Sequence, residues 1–235
     1  MARSIFSLYR ETPLYEASRQ LLENITTPME TDGNNDWLEN RITVPPIASA
    51  KIKSDIWNVI IAGLKGNRVI TFDYKGTWDD EYLNRKVRPY QLLFDSGVWY
   101  LYGFAEERKA TRIFSLSKIK NAQLTKDVFT LPKNFKYADF SGESYFGVFI
   151  GQEKQRFIVD IYEDSIPFAE ERQWAADQKI TEKDDCITIE FTSTQYYKVL
   201  RWVLSCGCNA IPKFPKKLVN DWKWHILEMR KLVTK

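Results

Sequence analysis

The chain of 235 residues is poor in the side chains from which most active sites are built: it holds one histidine, His225, and three cysteines, Cys186, Cys206 and Cys208. A Cys-x-Cys pair with a lone histidine falls short of a four-ligand zinc site, and an odd number of thiols without framework spacing is no disulfide scaffold. The three read as reduced structural thiols. No G-x-x-x-x-G-K-[ST] and no G-x-S-x-G occurs, so the sequence offers neither a phosphate cradle nor a nucleophile elbow. The acid pairs Asp79-Asp80 and Asp184-Asp185 fall in turn-like segments, where solvation accounts for them. These absences give the reading of a non-enzyme, with no catalytic residue, no metal ligand and no cofactor. Long apolar runs are missing as well. MARSIFSLYRE has no signal-peptide core, and the longest apolar stretch, around IWNVIIAGL, is far too short to span a bilayer. The expectation is a cytoplasmic chain with no membrane partner.

A strong overall charge is lacking too, since the formal net charge is only +3. Its distribution is less even. Residues 1–50 carry four Arg against seven Asp/Glu, whereas residues 84–120 carry eight Lys/Arg against three acids and residues 212–235 seven against two. A local basic excess focuses anions without a large total charge, although a solvated helix face or loop has the same composition. Aromatics are plentiful: 14 Phe, 12 Tyr and 8 Trp. The run GVWYLYGF, residues 97–104, concentrates them. As a strand it turns Val98, Tyr100, Tyr102 and Phe104 one way and Trp99 and Leu101 the other. Both faces are apolar or amphipathic, so one fills a core and the other meets something else.

Thr12-Pro13 opens a helix carried by Leu14, Ala17, Leu21, Leu22 and Ile25 and stopped at Thr26-Thr27-Pro28. A second helix fits residues 51–65, with Ile52, Ile56, Val59, Ile60 and Leu64 on one face and Gly66-Asn67 as its stop. The period then changes to two in VITFDY, KVRPYQLLF, GVWYLYGF, TRIFSLSKI and NAQLTKDVF. Short strands at near-regular spacing predict a small barrel rather than an open sheet, with Pro89 at an edge or bulge. From Gln155 the order strand, helix, hairpin, helix, strand and closing helix follows the ferredoxin-like split pattern. The expected divisions are 1–50, an N-terminal helix and linker; 51–130, the barrel with its leading helix; 131–154, a connection that packs; and 155–235, the C-terminal unit.

Trp99-Tyr100-Leu101 stands between Phe72, Tyr74, Val87 and Pro89 on one side and Arg112, Phe114, Leu116, Lys118 and Ile119 on the other. In this order and spacing the segment resembles the WYL domain, named for its Trp-Tyr-Leu run. The tail from about Arg156 resembles the C-terminal extension that often follows that domain. The resemblance implies an α+β chain: an Sm-like or SH3-like small β-barrel followed by a ferredoxin-like unit that supports a homodimer. It also implies a bacterial transcriptional regulator whose barrel senses a nucleotide or a single-stranded nucleic-acid effector. Two departures stand out. The usual N-terminal winged helix, the part that would hold duplex DNA, is not evident in residues 1–50, so the chain is a sensor module cut from a longer protein or a natural short form. The last basic position of the motif is Lys118 where arginine is usual, which keeps the charge and loses the planar fork.

On a regular strand Arg112 and Lys118 flank Phe114 and Leu116 on one face, so phosphates would meet charge and bases would meet rings. Tyr74 and Tyr100 add rings with hydroxyls, Arg88 is a third cation, and Ser115 reaches a ligand only if a bulge turns the strand. Each has a bland alternative. Phe114, Leu116, Trp99 and Leu101 fill a small barrel by themselves; Arg112 is served equally by a structural carboxylate; Lys118 is also a solvated strand end. The candidate ligand site is therefore Arg112, Tyr74, Tyr100, Arg88, Lys118 and Ser115, in a ligand-sensing regulatory domain. The competing readings are a stand-alone Sm-like module for RNA or single-stranded DNA, and a protein–protein scaffold.

Overall fold

The structure, a computed structural model, describes residues 48–76, 79–133, 135, 146, 147, 149 and 153–233. The helix expected over residues 14–25, and most of the connection expected over 131–154, lie outside these. The chain divides into two compact units, one ending at Phe135 and the other beginning at Lys136.

The first unit opens with helix α1 (Ser54–Gly66). Its buried Ile56, Trp57, Ile60 and Gly63 recur at helical spacing, Asp55 and Lys65 complement the helix dipole, and Asn67 ends it in the left-handed conformation at φ 46°. Five strands follow: β1 (Arg68–Tyr74), β2 (Leu83–Asp95), β3 (Val98–Ala105), β4 (Ala110–Ser115) and β5 (Ile119–Val128). The β2–β3 hairpin turns on Ser96 and Gly97, whose φ values of 50° and 82° are the pair of positive angles that a tight two-residue hairpin requires. Val98, Tyr100 and Phe104 do stand on the opposite face from Trp99 and Leu101, which are buried in the core with Phe72, Val87 and Phe114.

The closed barrel is not formed. The sheet is open, in the order β4-β3-β2-β1-β5, with β4 and β5 at its two ends. The apolar face of α1 covers the core side instead, packing on β5, β1 and β2. TRIFSLSKI is not one strand either. It ends at Ser115, turns through a 3-10 segment at Leu116–Lys118 and resumes as β5. Pro89 lies on the central strand β2, and the ladder accommodates it by a register shift between Pro89 and Gln91. Gly103, across from it, is obligatory for another reason: a Cβ there would stand 2.5 Å from the Arg88 carbonyl oxygen.

The second unit contains β6 (Gln155–Tyr162), α2 (Ser165–Glu170), β7 (Lys179–Glu182), β8 (Cys186–Ser193), α3 (Tyr196–Ser205), β9 (Ala210–Phe214) and α4 (Lys216–Val233). Its four strands are antiparallel in the order β7-β8-β6-β9. Alternate residues Phe157, Val159 and Ile161 of β6 and Ile187, Ile189 and Phe191 of β8 fill one core with Val199 and Val203 of α3 and Leu218 of α4. On the other face of β6 sits Asp160, 4% exposed. Thr188 donates to it at 2.6 Å, and Lys183 and Lys213 lie at 3.2 and 3.4 Å.

Candidate functional site

Where the core face of the first sheet reaches solvent there is an open cleft of about 320 Å³, lined by Tyr74, Gly76, Asp79, Arg85, Ala105, Glu107, Arg108, Arg112, Ile113 and Phe114. Strand parity explains how charge comes to lie there. Arg85 shares a face with Val87, and Arg112 shares one with Phe114, so both arginines continue core rows outward. Opposite Arg112 in the ladder is Gly103, which places no side chain beside it.

Arg85 and Arg112 are held differently. Arg85 is only 8% exposed, and its guanidinium meets Asp79 and Glu107, each at 3.3 Å. A buried guanidinium needs such counter-charges. Arg112 is exposed, and its Nη1 donates to the Thr111 carbonyl at 3.0 Å. Among the described residues no carboxylate lies within ion-pair distance of it.

The aromatic wall is built from the strand ends. Phe72, Tyr74 and Phe114 pack edge to face, with centroids 5.1–6.3 Å apart. The Ser115 amide donates to Tyr74 Oη at 3.2 Å, which leaves the phenolic proton free to donate. Burial raises the Tyr74 phenol above its ordinary value of 10.0, and the Ser115 amide and Arg85 only partly offset this, so it stays protonated at neutral pH.

Of the residues expected from sequence, Tyr74 and Arg112 line the cleft, and the other four stand elsewhere. Arg88 has the opposite parity from Arg85. It lies over the Phe104 ring at 5.2 Å and pairs with Glu106 at 2.6 Å. Tyr100 is on the face away from Leu101, across from Ser115 in the ladder. Ser115 is buried, its Oγ 3.0 Å from Ser117 Oγ. Lys118 leaves the strand with the 3-10 segment, which breaks the alternation that placed it beside Arg112. Four charged residues of the cleft escaped the sequence reading: Asp79, Arg85, Glu107 and Arg108. Asp79 is no solvated turn acid, since Gly76 N–H and Arg85 both donate to its Oδ2. The one available signal was the parity of Arg85 with Val87, which puts a cation on a core row.

An open antiparallel sheet backed by one helix, joined in sequence to a second antiparallel α+β unit, is the architecture of the described chain. Residues 55–124, from α1 into β5, match the WYL domain family, and the chain carries a WYL domain there. Protein PafB of Mycobacterium tuberculosis (strain ATCC 25618 / H37Rv) is 29% identical over 79 residues, which are 34% of this chain and 24% of PafB. The DNA-binding transcriptional repressor CapW of Pseudomonas aeruginosa is 28% identical over 82 residues, 35% of this chain and 27% of CapW. The match thus spans about a quarter of the length of these curated relatives. Among solved structures, proteasome accessory factor B/C (PafBC) of Arthrobacter aurescens is 19% identical with a TM-score of 0.36, covering 77% of this chain and 28% of its own. A CRISPR Cas-related protein is 12% identical with a TM-score of 0.48, covering 76% and 51%. No catalytic family is among these matches. Among the described residues no helix is long and apolar enough to cross a membrane.

Proposed function

We propose that this chain is the ligand-sensing part of a bacterial, cytoplasmic WYL-type transcriptional regulator, and that its effector is a nucleotide or single-stranded nucleic acid. The observation that carries the reading is Arg112: an exposed guanidinium on a core row, beside Arg108 and an aromatic wall, with no carboxylate pairing among the described residues. Basic side chains attract phosphate in a salt-sensitive way, and a base stacked on a ring is worth about 1–3 kcal/mol. The name of CapW supports DNA control as the output. In this reading duplex DNA is held by a winged-helix domain, the second unit supports a homodimer, and ligand in the cleft biases the dimer with a coupling of about 1–3 kcal/mol. The strand order β4-β3-β2-β1-β5 supports an Sm-like or SH3-like reading of residues 51–130. The order β7-β8-β6-β9, with its helix insertions, supports a ferredoxin-like reading of residues 155–235.

The test is tryptophan fluorescence titrated with nucleotides and short single-stranded oligonucleotides at two salt concentrations. Saturable binding that weakens with salt and is reduced about tenfold or more in Arg112→Ala is the expected result. The absence of any response rejects the sensor and favours a protein–protein scaffold.

A further inference from the structure

The cleft is more than a cation pocket, because Asp79 and Glu107 share its lining with Arg85, Arg108 and Arg112. Each carboxylate meets Arg85 through one oxygen, Asp79 by Oδ2 and Glu107 by Oε1. Among the described residues no hydrogen bond reaches Asp79 Oδ1 or Glu107 Oε2. An ionised carboxylate is an acceptor only, so these two oxygens call for donors on whatever enters. Phosphate oxygens are acceptors of the same sign and are repelled by them. A ligand complementary to the whole cleft therefore carries an anionic group, an aromatic face and neutral hydroxyl or amino donors together. A volume of about 320 Å³ is at the lower end of the range of small-molecule sites, enough for one such unit and not for a stacked strand.

Resting on the nucleotide reading above, we infer that the cleft takes a single ribonucleotide unit and selects it by its sugar. The phosphate meets Arg108 and Arg112, and the base lies against Tyr74 and Phe114. The vicinal 2′,3′-hydroxyls donate to the open oxygens of Asp79 and Glu107, as carboxylates do towards ribose in dinucleotide sites. Gly76 sets this acceptor in place: its N–H holds Asp79 Oδ2 at 3.0 Å, and a Cβ there would come within 2.9 Å of the same oxygen. Arg85 has a positioning role, holding one oxygen of each carboxylate at 3.3 Å.

The experiment is calorimetric titration of the full chain with the four ribonucleoside 5′-monophosphates, their 2′-deoxy forms, inorganic phosphate and a short oligoribonucleotide with a free 3′ end. For at least one base the ribonucleotide is expected to bind about tenfold or more tightly than the deoxy form. At least one of Asp79→Asn and Glu107→Gln, whichever removes the acceptor of the 2′-hydroxyl, is expected to bring that ratio close to one. Glu107→Gln keeps an acceptor for Arg85, so it reports on the diol even if Asp79→Asn does not fold. If the oligoribonucleotide competes, the unit is a strand terminus; if it does not, the unit is a free nucleotide, and the sugar assignment holds in both cases. Equal affinity for ribose and deoxyribose forms, or discrimination that persists in both variants, overturns the sugar assignment and leaves the nucleotide reading intact. Failure of every nucleotide and oligonucleotide to bind overturns both.

Discussion

At the scale of single residues, two arginines of one cleft carry the same charge under different constraints. Arg85 is buried between two carboxylates, whereas Arg112 is exposed and, among the described residues, pairs with no carboxylate and donates to the Thr111 carbonyl. Removing Arg85 leaves Asp79 and Glu107 facing each other's charge in a half-buried site. Solvent access moderates the penalty, so Arg85→Met is expected to lower unfolding free energy by about 1–3 kcal/mol. Arg112→Ala is expected to stay within about 0.5 kcal/mol of wild type while losing ligand affinity. Urea denaturation of the two variants side by side checks this, and equal losses would contradict the assignment of one to structure and the other to ligand. The same contrast shows what was legible. Arg112 announced itself as a charge between core residues of a local pattern. Arg85 did so more faintly, and Asp79 and Glu107 not at all, because their role arises from strands and turns that meet only in the folded sheet. Arg88 and Lys118 stand away from the cleft for the complementary reason: a charge near a motif in sequence has its face decided by bulges and turns.

At the scale of elements, the bulged crossing of β2 and β3 is the most constrained point of the first sheet. A methyl at Gly103 would meet the Arg88 carbonyl oxygen at 2.5 Å and Val87 Cγ1 at 2.8 Å. Backbone cannot swing aside as a side chain does, so Gly103→Ala is expected to cost about 2–4 kcal/mol, read from the shift of the denaturation midpoint. In the second sheet, Asp160 ties β6 to β8, β9 and the β7–β8 turn. Burial raises its pKa, but the Thr188 hydrogen bond and the charges of Lys183 and Lys213 outweigh that, and the carboxyl lies below its ordinary value of 3.8. A carboxylate depressed on folding contributes stability that is complete above its unfolded value and is lost as pH falls through the folded one. Wild type is therefore expected to lose more stability than Asp160→Asn between about pH 5 and pH 2. Parallel acid titrations of the two decide it, and identical slopes would remove Asp160 from the account. Most elements were readable from period and caps. The break of TRIFSLSKI at Leu116 was not, since an apolar residue at every second position suits a 3-10 turn as well as a strand.

At the scale of the whole molecule, two separate cores lie in two units. Phe157 is fully buried in the second. Phe157→Ala is expected to cost about 3–5 kcal/mol there. In hydrogen exchange, protection should fall across β6, β8 and β9 and remain in β1 to β3; equal loss in both sheets would mean one cooperative core. The sequence reading put the change from the first run of strands to the strand–helix–hairpin order at Gln155, and the two units divide between Phe135 and Lys136. Closure of the first sheet was not legible, because whether end strands pair depends on what else covers the core, and here α1 does. The claim on which the functional reading turns is that an anionic ligand enters the cleft of the first unit. Amide and arginine side-chain NMR shifts, followed during a nucleotide titration, test it most directly. The expected result is perturbation concentrated at Tyr74, Arg85, Glu107, Arg112 and Phe114, with the Arg112 guanidinium signal slowed and shifted. Saturating shifts confined to the second unit, with Arg112 and Phe114 unmoved, would contradict it.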